Sequence, residues 1–287
     1  MVSFVILHYK NYKDTIECIE SIKNNIQYDQ KKISIVVVDN NTLSKEEAKD
    51  LKNYTKDIVL LDNNMGFANG NNAGSKYAIE KYNPDFLCVI NNDTVIDQKD
   101  FIDEIYNAYK KYNFDIMGPN IITNGGDSVN PFHAYETLEE IDARIKYHTK
   151  LVNIYQSKFK RFLLKIYMKI KHLFVKTKTP TNGTKTETGV ALHGCALIFS
   201  KKYYEKYEDV FYKGTFLYHE EEFLNYRKNR DNLITLYDKD LKIFHKEGSS
   251  LNLSFKDNHY EKLIFRNKEI IKSLKLLRDV IINNKEI

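Results

Sequence analysis

Apolar and polar positions come in blocks over the first 120 residues. Apolar runs at Val2–Leu7, Ile33–Val38, Ile58–Leu61 and Phe86–Ile90 have strand length. Each stops abruptly in polar residues: His8-Tyr9-Lys10-Asn11, Asp39-Asn40-Asn41, Asp62-Asn63-Asn64 and Asn91-Asn92-Asp93. A continuous β-branched run suits a strand covered on both faces, which predicts a parallel sheet. Between these runs the pattern changes to helical spacing. Ile16, Ile19, Ile22 and Ile26 recur every three or four residues, and Ser44 and Glu47 are spaced as a capping box for a helix over Ser44–Tyr54. A helix over about Lys99–Tyr112 precedes a short strand at Asp115–Gly118. Alternating strands and helices predict an α/β unit, whose ligand cleft lies beyond the carboxyl ends of the strands. The polar strand ends are therefore expected to converge on one place.

Two stretches carry most of the candidate chemistry. NNMGFANGNNAG, Asn63–Gly74, has glycines at 66, 70 and 74, a spacing that fits neither the dinucleotide fingerprint nor the P-loop. With a helix starting near Ala68, Gly70 and Gly74 share a face and permit close approach to the sheet or to a ligand. A Gly/Asn turn followed by a close-packed helix is the plainer reading. FLCVINNDTVID, Phe86–Asp97, is a buried strand that delivers an acidic elbow. Asp93 offers a hard oxygen ligand for Mg²⁺ or Mn²⁺ there, although an Asp at such a point also serves as a turn or cap residue.

Composition adds a local feature to this picture. The 287 residues suffice for a sizeable core, and the net charge of +5 is unevenly spread. Arg144–Lys178 holds 11 Lys and Arg with no Asp or Glu, which leaves 33 basic against 39 acidic residues elsewhere. Within it, apolar positions 151, 154, 155, 159, 162, 163, 166, 170, 173 and 174 follow helical spacing, beside a basic stripe at 158, 161, 165, 169 and 176. Such a helix fits an anionic membrane surface; a core-packed helix with a solvated basic face, or a homodimer contact, is the alternative. Thr177–Thr188 reads as a loop able to close over a bound donor. Cys18, Cys88 and Cys195 lie far apart among apolar neighbours and read as buried thiols of a reducing compartment. No apolar run is long enough to span a bilayer, and the N-terminal VSFVIL is too short for a signal peptide. The expectation is a cytoplasmic protein, at most peripheral on the inner face of the membrane.

VSFVILHYKN, VVVDNN, NNMGFANGNNAG, LCVINNDT, GCALIFSKK, FLYHEEEFLNYR and IFHKEGSS follow one another in an order and spacing that resembles family 2 inverting glycosyltransferases of the GT-A fold. They look most like bacterial rhamnosyltransferase-type members that build capsule and other surface polysaccharides. The likeness covers about residues 2–132 and 187–270. It implies a Rossmann-like, mainly parallel central sheet flanked by helices. Residues 1–132 would form the nucleotide-sugar half and 187–255 the acceptor-binding, catalytic half, with a basic helical insertion at 133–186 and a helical tail at 256–287. It also implies a nucleotide-sugar donor, dTDP-rhamnose or a UDP-hexose, and an oligosaccharide or lipid-linked saccharide acceptor.

The same resemblance assigns residues. Asp39, with Tyr9 and Asn64, would hold the base or ribose; Gly66, Asn72, Asn91, Asn92 and Gly194 would line the donor site; Lys246 would contact the diphosphate. Asp93 would hold the divalent metal, with His245 completing its shell or binding the diphosphate, and Asn91 stands where the family often has Asp. An inverting transfer needs a base for the acceptor hydroxyl. Register favours Glu221, where the family usually has the shorter Asp, with Glu220 second. Three consecutive glutamates are also the ordinary acidic first turn of a helix. The tail, Lys256–Ile282, reads as a packing helix with Ile264, Ile271, Leu274, Leu277 and Ile281 on one face.

Two other classes fit less of the chain. A sugar-nucleotide nucleotidyltransferase would need a glycine-rich basic loop after the first strand, and His8-Tyr9-Lys10-Asn11 contains no glycine. A nucleic-acid-binding protein would account for the basic stretch but not for the acidic strand ends, so no nucleic-acid partner is expected.

Overall fold

The computed structural model describes residues 1–135, 137–172, 183, 185–246, 255 and 258–287. Strand β1 (Val2–His8) is buried along its whole length, as its unbroken apolar run requires. Around it lie β2 (Ile33–Asp39), β3 (Asp57–Leu60), β4 (Phe86–Asn91), β5 (Thr94–Val95), β6 (Ile116–Thr123), β7 (Glu187–Thr188), β8 (Ala196–Ser200) and β9 (Thr235–His245). They form one sheet in the order β3-β2-β1-β4-β8-β6-β9-β5, with β7 also paired to β9. The first four positions are parallel, as the sequence predicts. Beyond them the sheet is mixed: β8 runs antiparallel to both β4 and β6, β9 is parallel to β6, and β5 and β7 are antiparallel to β9. Strand β8 returns to the sheet after a long excursion rather than through a single crossover helix, so either direction is open to it.

Strand β1 has β2 on one side and β4 on the other, so the winding direction reverses at β1 and a crevice opens at its carboxyl end. Register levels the polar ends around that crevice: His8 lies opposite Asp39, and Leu7 opposite Asn91.

One face of the sheet packs against α1 (Tyr12–Asn25) and α4 (Phe101–Tyr112), burying Phe4, Ile6, Ile19, Ile22, Phe101 and Ile105. The capping box of α2 (Lys45–Asp50) forms, with Ser44 Oγ accepting from the Glu47 amide at 3.1 Å and Glu47 accepting from the Ser44 amide at 2.8 Å. The other face carries α3 (Gly66–Tyr82). A Cβ at Gly70 would stand 2.6 Å from Leu7 Cδ1, and one at Gly74 2.7 Å from Val5 Cγ1. These glycines therefore serve close packing of helix on sheet.

The insertion holds two helices, α5 (Leu138–Gln156) and α6 (Lys158–His172), separated at Ser157, which ends α5 in an extended conformation. After α7 (Lys201–Tyr204) and α8 (Glu220–Asp231), the chain closes with α9 (His259–Ile282). Ile141 of α5, Phe223 of α8 and Ile270, Leu274, Leu277 and Val280 of α9 form a second, smaller core. The buried face of α9 is thus turned from the expected one. Ile264, Ile271 and Ile281 are only half-buried, while Asn267 and Ser273 take covered positions that an apolar count passes over. Asn267 Oδ1 lies 2.7 Å from His148 Nδ1 on α5, which compensates its burial.

The three cysteines are free and buried, as expected. Among the described residues, no helix is long and apolar enough to cross a membrane. Residues 173–178 of the basic stretch, most of the 177–188 loop, and Glu247–Ser250 lie outside the described residues.

Candidate active site

The crevice is built where β4 turns into β5. Asp93 follows the strand end and is 6% exposed; the Thr94–His245 pairing of β5 with β9 brings the end of β9 beside it. His245 Nε2 lies 3.1 Å from Asp93 Oδ1, joining residues 152 apart in sequence. Burial by itself would lower the His245 pKa, but the Asp93 carboxylate and the neighbouring Cys195 outweigh it and push the imidazole up to about 10. In this state His245 is a cation paired to Asp93. A metal at this point would have to displace that proton.

Cys195 immediately precedes β8 and carries the site further. His193 and His245 both adjoin its thiol, and hold it below the usual thiol range despite complete burial. The His193 amide is fixed by Asn130 Oδ1 at 2.9 Å, and the His193 and His245 rings lie 6.4 Å apart. Gly194 meets Glu221: a Cβ there would stand 3.4 Å from Glu221 Oε1. Burial opposes the charged form of His193, but Cys195 and then Glu221 raise it to about 8. Asp93, His245, Cys195, His193, Gly194 and Glu221 are therefore neighbours along one wall, of which His193 and Glu221 are half-buried and the others buried.

Glu221 reaches this wall through an unusual turn. Tyr218 and His219 both adopt positive φ, 71° and 69°, immediately before α8. Two consecutive non-glycine residues in the left-handed region cost roughly 1–3 kcal/mol each, and such backbone concentrates at functional sites. The turn leaves Glu221 half-buried in the first turn of α8. Glu220 points inward. It is 5% exposed with Oε1 lacking a hydrogen-bond partner; burial, and then the charge of Glu221, raise it to about 8. Glu220 is thus sealed from substrate, leaving Glu221 as the accessible carboxylate of the pair.

On the other side of the crevice, Asp39 accepts from the Thr42 and Leu43 amides through Oδ1, at 2.8 and 3.2 Å. Asn40 binds the glycine loop, donating to the Gly66 carbonyl at 3.1 Å and accepting from the Met65 amide at 2.8 Å. Asn64 Oδ1 accepts from the Gly66 amide at 2.9 Å. Gly66 has φ +80° and lies against the Phe216 carbonyl, so no side chain fits there. Asp39, Asn64 and Gly66 are in this way brought together, with Tyr9 on the neighbouring loop, where Lys10 Nζ lies 5.4 Å from the ring centre. Asn91 ends β4 half-buried, its amide bonded to the Cys195 carbonyl.

Three residues expected at the donor are engaged elsewhere. Asn72 spends both ends of its amide on the Phe211 backbone, at 2.8 and 2.9 Å. Asn92 is buried and donates to the Asn11 carbonyl and Thr15 Oγ1 of the first loop and helix. Lys246 Nζ bonds Asp14 at 2.7 Å and Glu17 at 2.6 Å, two carboxylates of α1. Sequence reasoning missed His193, Asn40 and the Tyr218-His219 turn. The His193-x-Cys195 spacing was the available signal for the first, and the polar strand end Asp39-Asn40-Asn41 for the second; the turn has no comparable mark.

As a metal site the arrangement is sparse. Among the described residues no group of three or more His, Cys, Asp or Glu converges as a ligand set. Two neighbouring ligands on an octahedral ion stand about 3 Å apart when metal–ligand bonds are near 2.1 Å. The 3.1 Å between Asp93 Oδ1 and His245 Nε2 fits that spacing, so the pair suits an ion whose remaining ligands come from a bound diphosphate and water.

Residues 3–207 match the family described as glycosyl transferase family 2. Over 133 residues the chain is 31% identical to the low-salt glycan biosynthesis hexosyltransferase Agl10 of Haloferax volcanii, covering 45% of this chain and 39% of that relative. The chain therefore spans well under half of the curated relative it matches. In fold it is similar to S. aureus TarS 1–349, with a TM-score of 0.54 at 11% identity over 97% of this chain and 71% of that one. It is similar also to GalNAc-T7 solved with UDP, GalNAc and Mn²⁺, with a TM-score of 0.54 at 12% identity over 87% of this chain and 44% of that one. These likenesses establish a mixed α/β, GT-A type fold.

Proposed function

Because this chain belongs to glycosyl transferase family 2, we propose that it transfers a hexose-type sugar from a nucleoside diphosphate donor to a saccharide hydroxyl, with inversion. The observation that carries this reading is the adjacency of Asp93 to His245, of His245 to His193 and of His193 to Glu221. An anion-handling pair stands at one end and an accessible carboxylate at the other. Residues 1–132 then hold the donor and residues 187–255 present the acceptor.

In this reading Asp39, Asn64 and Tyr9 face the nucleoside, and Asp93 with His245 holds a divalent ion, Mn²⁺ being favoured over Mg²⁺ by the imidazole. The ion supplies charge neutralisation for the leaving diphosphate. Glu221 orients the acceptor hydroxyl and takes its proton as the oxygen attacks the anomeric carbon on the face away from the leaving group. The bond from that carbon to the diphosphate oxygen breaks, and its electron pair leaves with the nucleoside diphosphate. His193 lies beside Glu221 and balances its charge before transfer. The UDP and Mn²⁺ bound by structural neighbours support the choice of donor class and metal. The donors this reading puts first are dTDP-rhamnose and the UDP-hexoses, and its setting is synthesis of a bacterial surface polysaccharide such as capsule.

The test is release of nucleoside diphosphate from a panel of nucleotide sugars supplied with saccharide acceptors and Mn²⁺, with the product's anomeric configuration read by NMR. Turnover of one donor with an inverted linkage is expected. Turnover with retained configuration would remove Glu221 from the role of base, and no turnover of any nucleotide sugar would remove the activity.

A further inference from the structure

Four apolar side chains of helix α6 point outward. Phe159 is 70% exposed, Phe162 60%, Leu163 48% and Ile166 42%. At 3.6 residues per turn, these four share an arc of roughly 100°. The opposite side of the helix faces the protein. There the Arg161 guanidinium lies 4.1 Å from the centre of the Tyr260 ring on α9, and Arg161 Nε donates to the Tyr155 carbonyl. An amphipathic helix packed on a core does the reverse, burying its apolar stripe and hydrating its charges. Here a cation–π contact and a hydrogen bond hold Arg161 inward, and among the described residues the four apolar side chains are left open to water.

Charge indicates what covers that stripe. Lys158 and Lys160 are exposed and flank the stripe, within the Arg144–Lys178 stretch of 11 basic and no acidic residues. A two-fold contact with a second copy would set two such stretches against each other without one carboxylate between them. An anionic bilayer supplies both missing elements: acyl chains for the Phe, Leu and Ile side chains, and headgroup charge for the lysines beside them. We propose that the Phe159-Phe162-Leu163-Ile166 face of α6 docks the protein on an anionic lipid surface. The face shares no residue with the candidate active site and is independent of the reaction assigned to it.

The experiment is vesicle flotation of the whole chain with phosphatidylglycerol or phosphatidylcholine vesicles, at low salt and at about 0.5 M salt. Wild type is expected to float with phosphatidylglycerol at low salt, to be released by high salt, and to stay behind with phosphatidylcholine. Phe162→Ser with Leu163→Ser should abolish flotation, and Lys158→Ala with Lys160→Ala should lower partitioning about tenfold or more. All four side chains are exposed, so both variants should keep the wild-type unfolding midpoint, which is measured alongside. Wild type left in the soluble fraction with phosphatidylglycerol overturns the proposal. So does equal flotation of wild type and both variants, or equal binding to the two lipids. A concentration-dependent dimer that Phe162→Ser disrupts, without vesicle binding, would assign the face to a second copy instead.

Discussion

Replacing Glu220 by Gln tests whether the turn before α8 holds one carboxyl in its neutral form. Burial, followed by the charge of Glu221, raises Glu220 to about 8 from an ordinary 4.5. Between those values the folded chain keeps a proton that the unfolded chain has released. The folded state therefore binds more protons, and stability falls as pH rises through this window and levels off above it. The whole span corresponds to at most roughly 5 kcal/mol, about half of it lost between about pH 6 and about pH 8.5. Glu222 is 4% exposed and likewise raised to about 8 by burial, partly offset by the Tyr135 amide that donates to it, so it adds a slope of similar size. Glu220→Gln keeps the shape and removes this titration, and should make the wild-type loss measurably smaller; Glu222, His193 and His245, also raised, titrate over the same window with the same sign and contribute equally in both proteins. Urea unfolding at the two pH values reads both quantities, provided that the denaturant slope is unchanged by the substitution. If wild type and Glu220→Gln lose the same stability between about pH 6 and about pH 8.5, Glu220 is ionised in the folded protein and the assignment of Glu221 as the sole accessible carboxylate fails.

Glu221→Gln should lower kcat by roughly 10²–10⁴ while leaving nucleotide affinity within about twofold, because it removes a proton acceptor and no donor contact; steady-state kinetics with a titration of the nucleotide separates the two. Gly74→Ala adds a methyl against Val5 and Val38, and should destabilise the fold by ~1–3 kcal/mol, seen as a lowered thermal midpoint; an unchanged midpoint would mean that α3 can lift from the sheet at no cost. Chelation of divalent ions should abolish transfer and remove nucleotide-dependent thermal stabilisation together, and Mn²⁺ should restore both; transfer that survives chelation would leave His245 as the cation facing the diphosphate.

The first 120 residues were legible because strand length, β-branched runs and abrupt polar ends all point to one parallel unit, and β1 to β4 form it. The second half was less so. Whether β8 enters parallel or antiparallel depends on where the chain comes back to the sheet, which no local pattern encodes. At the site, Asp93 and His245 come together through the β5–β9 pairing, and Glu221 and Gly194 meet, much as their order in the chain suggests. Asn72, Asn92 and Lys246 illustrate the opposite case. An amide or an ammonium in a polar motif looks the same whether it faces a ligand or is consumed by a backbone or a carboxylate far away in sequence. The left-handed Tyr218 had no sequence marker, and His219 only the weak one of histidine's enrichment at positive φ. The outward apolar stripe of α6 was visible as a periodicity, but its direction is decided by Arg161 and Tyr260, which are about 100 residues apart.

The central claim is that Asp93 and His245 bind a nucleoside diphosphate through a shared cation. Calorimetric titration of UDP and dTDP into wild type and Asp93→Ala, each with and without Mn²⁺, addresses it directly. Wild type should bind at least one of the two nucleotides only when Mn²⁺ is present, with Asp93→Ala weakening that binding by roughly 100-fold or more, about 2.7 kcal/mol. Equal affinity of wild type and Asp93→Ala in the presence of Mn²⁺ would contradict the account.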